Sequence, residues 1–342
     1  MNPPNPFTVD VRVFPAKGVK SLVWQNGKLM DWVSGNVEYT LNGEKRGPTV
    51  FYAYRFDAAV VSPSGKFVAL YERLGTKAII LGPDRLFREV NRSFDHAHVY
   101  EYPIHFFRLA DGREALAHCP ESYCELQIEN PATGERWSAP GTGRLQSMFH
   151  SRLAANTAGN RILSAGWVWH PLDVVRVFDL KPTTGGCFTL ELRDECCNQG
   201  AEASSAVFNP DGQVIVASAK EAEDFLEDEP GERLRPGMIG VFDLDKQKLV
   251  SLASLEDEAG TLMPVGNNYV VGFFEHPKLI EIASGRVLCR WIELKTGQQS
   301  SSILWHKPLP PPLALDPCGR RFAVADERQI TVVTLTPHVP EI

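Results

Sequence analysis

From Ala206 to Ala219 the chain reads AVFNPDGQVIVASA, an apolar run, four turn-forming residues and a second apolar run. Proline presets φ for a turn and glycine supplies the position that needs φ > 0, so the stretch predicts an antiparallel hairpin closed at Asn209-Pro210-Asp211-Gly212. The same pattern recurs around turn glycines at Gly27, Gly65, Gly112, Gly159, Gly212, Gly266 and Gly319, at spacings of 38, 47, 47, 53, 54 and 53 residues. No apolar pattern at helical spacing lasts beyond a couple of turns, so strands lead throughout. A third apolar run follows each hairpin, among them 77–81, 124–129, 174–180, 239–244, 278–282 and 330–335. Second turns at Asn42-Gly43, Thr133-Gly134, Thr184-Gly185-Gly186 and Ser284-Gly285 lead towards fourth strands such as 286–291. Four strands repeated at this period predict an all-β fold, a seven-bladed β-propeller of four-stranded antiparallel blades.

The seventh repeat runs out after 330–335, whereas an extra alternating segment, residues 7–14 (FTVDVRVF), precedes the first turn. That amino-terminal strand is expected to complete the seventh blade and close the ring, removing a sheet edge. Residues 1–342 are accordingly read as one propeller domain. The 27 glycines and 25 prolines are spread along the chain, which suits short strands and turns and disfavours long helices.

Three turns read SPSG, NPDG and DPCG, and the run VFDL occurs at Val177 to Leu180 and again at Val241 to Leu244. These motifs resemble the Ser-Pro-Asp-Gly turn and the Trp-Asp dipeptide of the WD-repeat and related bacterial propellers, with phenylalanine standing in place of tryptophan. The Gly-His that opens a typical WD blade is absent. The resemblance spans nearly the whole chain and implies a divergent WD-repeat-like, bacterial-type propeller. Its geometry implies that the loops between strands one and two, and three and four, share one face. The loops between strands two and three lie with the inter-blade connections on the other.

The first set is short. The second holds the long segments: 92–102, 165–173, 193–203, 220–237, 273–278 and 293–312. Long loops on rigid strands are where binding surfaces are made. Trp167, Trp169 and His170 in one such loop, Trp305 and His306 in another, and His276 in a third are candidate partner anchors, because a large ring buries much area at little entropic cost. The competing reading makes Trp167 and Trp169 strand residues packed against neighbouring blades. Insertion 220–237 carries seven Asp/Glu against three Lys/Arg, a local net of -4 out of the chain's -7. Its Asp224, Phe225, Glu227, Asp228 and Glu229 are candidate contacts for a basic partner, against the plainer reading of a solvated loop.

His96 and His98 form a His-x-His whose side chains would point the same way on a strand, a weak candidate metal pair lacking further ligands of matching spacing. In the stretch from His118 to Cys124, a turn centred on Glu121-Ser122 would set Cys119 opposite Cys124 as reduced thiols. The vicinal Cys196-Cys197 has no basic cluster beside it to lower its pKa. No nucleophile elbow, phosphate loop or HExxH is present. Glu101, Glu202 and Glu258 are the carboxylates that a channel-centred enzyme would need.

Net negative charge without a basic run argues against nucleic acid or an anionic membrane as partner. No apolar stretch of about 18 residues and no leader pattern occurs, and the seven cysteines suit a reducing compartment, so a soluble, cytoplasmic protein is expected. The expected function is a monomeric, non-catalytic protein-protein interaction module without cofactor, of the kind seen in scaffolds, adaptors and toxin-neutralising immunity proteins, binding a protein partner for which a basic surface would fit. The alternative is a metal-dependent propeller hydrolase or lactonase with its site in the central channel.

Overall fold

The computed structural model describes residues 5–82, 86–193, 199–221 and 232–338. Every regular element among them is a β-strand, and the strands form seven antiparallel sheets set as the blades of a propeller ring. In blade order the inner strands are Val23–Gln25, Ala58–Val61, Ile104–Arg108, Leu153–Ala155, Ala203–Phe208, Leu262–Val265 and Leu313–Leu315. Each turns into its second strand at one of the seven recurring glycines, all of which hold φ between 62° and 87°. At Gly159 and Gly319 the demand is double, since a Cβ would also overlap the carbonyl oxygen of Arg108 or Pro264 in the preceding blade.

Phe7–Pro15 runs antiparallel to Gln329–Pro337, with Phe7 opposite Pro337 and Pro15 opposite Gln329. The first strand of the chain is therefore the outermost strand of the seventh blade, and the ring is closed.

One apolar cluster fills each of the seven clefts between neighbouring blades. Leu163, Val175, Phe208 and Val214 meet between blades four and five, and Ile215, Ile239, Leu262 and Val270 between five and six. Second strands such as Val214–Ser218 are buried along their whole length because a blade flanks each of their faces, which is why they read as unbroken apolar runs. An eighth cluster, Tyr100, Phe149 and Trp167 with Tyr123 and Ile303 against it, lies off this ring.

Three local expectations change. In the third blade His118 pairs with Gln127, so the third strand is Gln127–Glu129 and the turn is longer than one centred on Glu121-Ser122. Cys119 and Cys124 fall within that turn, outside the paired positions, as free thiols. The fourth strand of that blade shrinks to a bridge between Glu129 and Arg136. In the fourth blade, Arg161–Val168 and Leu172–Pro182 absorb most of the expected 165–173 loop, leaving a turn of Trp169-His170-Pro171. No helix is long and apolar enough to cross a membrane, as far as the described residues go.

Candidate functional site: an aromatic pocket on the long-loop face

Antiparallel pairing places the four-residue hairpin turns at one end of the blades and the inter-blade connections at the other. At that second end the connection 291–312, a strap between blades six and seven, makes a detour over blades three and four. Ile303 bridges Tyr100, and the Leu304 N–H donates to the Val99 carbonyl at 2.8 Å. The Ser302 N–H and Oγ–H both donate to Asp173 Oδ1, at 3.2 and 2.8 Å. Gln299 Nε2 donates to Glu101 Oε2 at 3.0 Å, and Arg73 Nη1 to the Pro310 carbonyl at 3.3 Å.

The strap separates two cavities. One of about 320 Å³ is the central channel, walled by inner-strand residues such as Ala58, Ile104, Leu153 and Leu262 and roofed by Gln299, Pro310 and Pro311. The other, about 690 Å³, lies to one side, between the strap, the Trp169-His170-Pro171 turn and the 92–102 connection.

The larger pocket is built on a stack of rings. Tyr123 lies on Phe149 and Phe149 on Trp167, each pair 4.0 Å apart and inclined by 13° and 2°. Trp169 flanks the stack, 6.2 Å from Trp167 at 28° and 6.3 Å from Phe149 at 31°. Glycine at 166 permits this, because any Cβ there would overlap the Phe149 carbonyl. Trp167 is buried, whereas Trp169 on the turn and Trp305 on the strap, which both line the pocket, are 53% and 52% exposed.

The histidines attend the tryptophans. His96 lies 5.3 Å from Trp169, His98 stands edge-on 6.0 Å from Trp305, and His306 stacks on Trp305 at 4.1 Å. His96 has φ of 51° in a turn, so the His-x-His is not a strand pair; its two rings, 6.5 Å apart, go to different tryptophans. Among the described residues no group of three or more His, Cys, Asp or Glu could hold a metal ion.

Arg92 holds this connection in shape. Its buried guanidinium donates to the carbonyls of Gly75 (2.8 Å), Ala97 (2.6 Å), Tyr100 (3.1 Å) and Arg73 (3.2 Å), and lies over the rings of Tyr100 and Tyr102. Nε serves the Gly75 carbonyl and Nη2 the other three, so one planar group ties four points of the backbone together.

Charge is concentrated where the strap meets blade four. Burial pushes the Asp173 carboxyl above its usual range, against the opposing pull of Arg152 and the Ser301 and Ser302 hydrogen bonds. Burial equally lowers Arg152, which Asp173 and Glu101 partly offset. Burial brings His150 down to about 4, so it is neutral at pH 7, with Nδ1 3.1 Å from Ser164 Oγ. Glu202 Oε1 accepts the Asp173 N–H at 3.3 Å, while Glu221 and Lys307 lie exposed on the pocket rim.

Trp167, Trp169, His170, Trp305 and His96 thus line one pocket, with His98 and His306 against its Trp305 wall. Trp167 is a strand residue supporting the stack and offers little surface of its own. His276 belongs to a different place, the 273–277 loop of blade six, where burial and then Lys278 lower its imidazole. Asp224, Phe225, Glu227, Asp228 and Glu229 lie outside the described residues, as do Cys196 and Cys197. The stem of the acidic insertion is fixed by Lys220 N–H on Glu258 Oε2 and Gly237 N–H on the Ala219 carbonyl, each 2.9 Å. Of the channel carboxylates expected, Glu101 lines the channel cavity, Glu202 lines the aromatic pocket and Glu258 lines neither.

Phe149, Asp173, Ser302 and Ile303 had no motif to announce them. The available signal was the apolar tripeptide Ile303-Leu304-Trp305 directly after the run 296–302, TGQQSSS; its Leu304 is fully buried. No family model matches this chain, and no curated protein matches it.

Proposed function

We propose that this chain is a divergent WD-repeat-like propeller, acting as a single domain over 1–342, that captures a protein partner on the face bearing the long connections. The observation that carries the reading is the pair Trp169 and Trp305, each about half exposed and lining a pocket of about 690 Å³. Indoles so placed are expensive to leave in water and bury large areas at little entropic cost when a partner covers them. They are also held in place, Trp169 by the ring stack and Trp305 by the strap, which lowers the ordering cost of binding. An adaptor or an immunity protein that neutralises a toxin would use such a rigid surface without any catalytic group.

The test is affinity capture from the native host with the wild-type chain and with a Trp169→Ala/Trp305→Ala variant. Both side chains are exposed enough that the variant should keep its thermal midpoint within a degree or two, and partner recovery should fall at least about tenfold, as for hot-spot residues. Recovery of the same partners at undiminished strength would remove this face from the interaction.

A further inference from the structure

We propose that the pocket between Trp169 and Trp305 receives a cationic side chain, arginine ahead of lysine, carried on a projecting segment of the protein partner. The inference rests on the partner-capture reading and gives it a chemistry.

Three features of the lining point the same way. First, indole faces carry the negative end of a quadrupole, and a cation within about 6 Å of such a face is attracted to it. Second, the charges are lopsided: among the described residues Glu202 and Glu221 line the pocket together with Asp173, against one ammonium, Lys307. Asp173 is partly balanced from behind by Arg152, so the half-buried Glu202, which accepts the Asp173 N–H, and the exposed rim carboxylate Glu221 give the pocket its negative side. Third, the volume, about 690 Å³, exceeds one side chain and leaves room for its flanking backbone.

Other occupants fit less well. An acidic segment would meet the carboxylates and the ring faces with Lys307 in its favour. A purely apolar segment would take water from the acids and return nothing to them. Arginine leads lysine because its planar guanidinium can lie on an indole while its edge forks a carboxylate.

The experiment titrates the full-length protein with the blocked tripeptides acetyl-Gly-Arg-Gly-amide, and its Lys, Leu and Glu counterparts, at pH 8 and 50 mM NaCl. The readout is the indole N–H resonances of Trp169 and Trp305, assigned by the two single alanine variants. The arginine peptide should shift both resonances saturably, with Kd on the order of 1 mM as a contact of this size allows. Lysine should bind roughly threefold more weakly, and the leucine and glutamate peptides at least about tenfold more weakly. Glu221→Gln, at an exposed position, should weaken arginine binding roughly threefold, and raising NaCl to 500 mM should do the same.

Leucine binding as tightly as arginine would overturn the cation assignment and leave partner capture standing. So would glutamate binding most tightly. If no peptide moves either indole while the double tryptophan variant still loses its partner, the cation assignment fails alone; if that variant also captures normally, both readings fail.

Discussion

Asp179, in the first of the two Val-Phe-Asp-Leu runs, shows what a motif aspartate does here. It accepts Arg161 Nε–H at 3.0 Å and Arg193 Nε–H at 2.7 Å, and both arginines continue into blade five, Arg161 to Asp245 and Arg193 to the Leu244 carbonyl. Burial alone would raise its carboxyl, but the hydrogen bonds and charges of the two arginines outweigh it and hold the group below its usual range. A carboxyl depressed in the folded state stabilises above its unfolded pKa and ceases to do so as pH falls through the folded one. Asp179→Asn should therefore cost roughly 2 kcal/mol at pH 7, measured by urea unfolding, and the gap to wild type should close below about pH 4. A gap that persisted unchanged at pH 3 would mean that the side chain acts by packing. At this scale the sequence was readable wherever the requirement was local. A turn glycine needs φ > 0 whatever surrounds it, so all seven could be placed by pattern. Trp167 and Trp169 could not be told apart in the same way, because the strand ends between them at Val168 and only tertiary contacts decide that.

Among elements, the strap 291–312 is the one that the pattern of strands did not reveal. A long connection with serines, glutamines and prolines reads as a loop of the binding face but not as one docked across other blades, because that docking depends on partners 129 to 237 residues away, such as Asp173, Glu101 and Arg73. Its attachment has a pH signature opposite to that of Asp179. The Asp173 carboxyl is raised by burial, so its contribution is fully present below the unfolded carboxylate pKa and is lost as pH rises through the folded value. Asparagine at this position keeps an oxygen for both Ser302 donors and carries no charge to desolvate. Asp173→Asn should thus fold, and its stability relative to wild type should rise between pH 4 and pH 7. Denaturation midpoints at pH 4, 5.5 and 7 check this, and a constant difference across the range would show that Asp173 is ionised at no net cost. The same reasoning explains why the aromatic pocket was only half legible. Its exposed anchors announce themselves by residue type, whereas the buried pieces that aim them, Phe149, Gly166 and Ser302, belong to no local pattern.

For the whole molecule, the recurrence of one hairpin made the blade count readable because each blade repeats the same burial problem against its neighbours. A ring of seven such units has seven clefts, and an open array of the same blades would have six and two bare faces. Closure depends on Phe7–Pro15, which covers the edge strand Gln329–Pro337 along nine paired positions. Its two buried aromatic residues enter different clefts, Phe7 the one between blades six and seven and Phe14 the one between seven and one. Removing residues 1–15 should therefore do more than shorten a sheet: it uncovers a long apolar edge and thins both clefts that flank the seventh blade. The truncated chain should melt at least about 10 °C lower and scatter light on warming, since several kcal/mol of burial are lost from one blade. Adding the peptide FTVDVRVFP in excess should restore part of that midpoint by refilling the edge, as anything that binds only the folded state does. Phe14→Ala, which leaves the edge covered and opens one cleft only, should fall between the two. If the truncation melted like the full chain, the seventh blade would be self-sufficient and the amino-terminal strand would be an ornament to the ring.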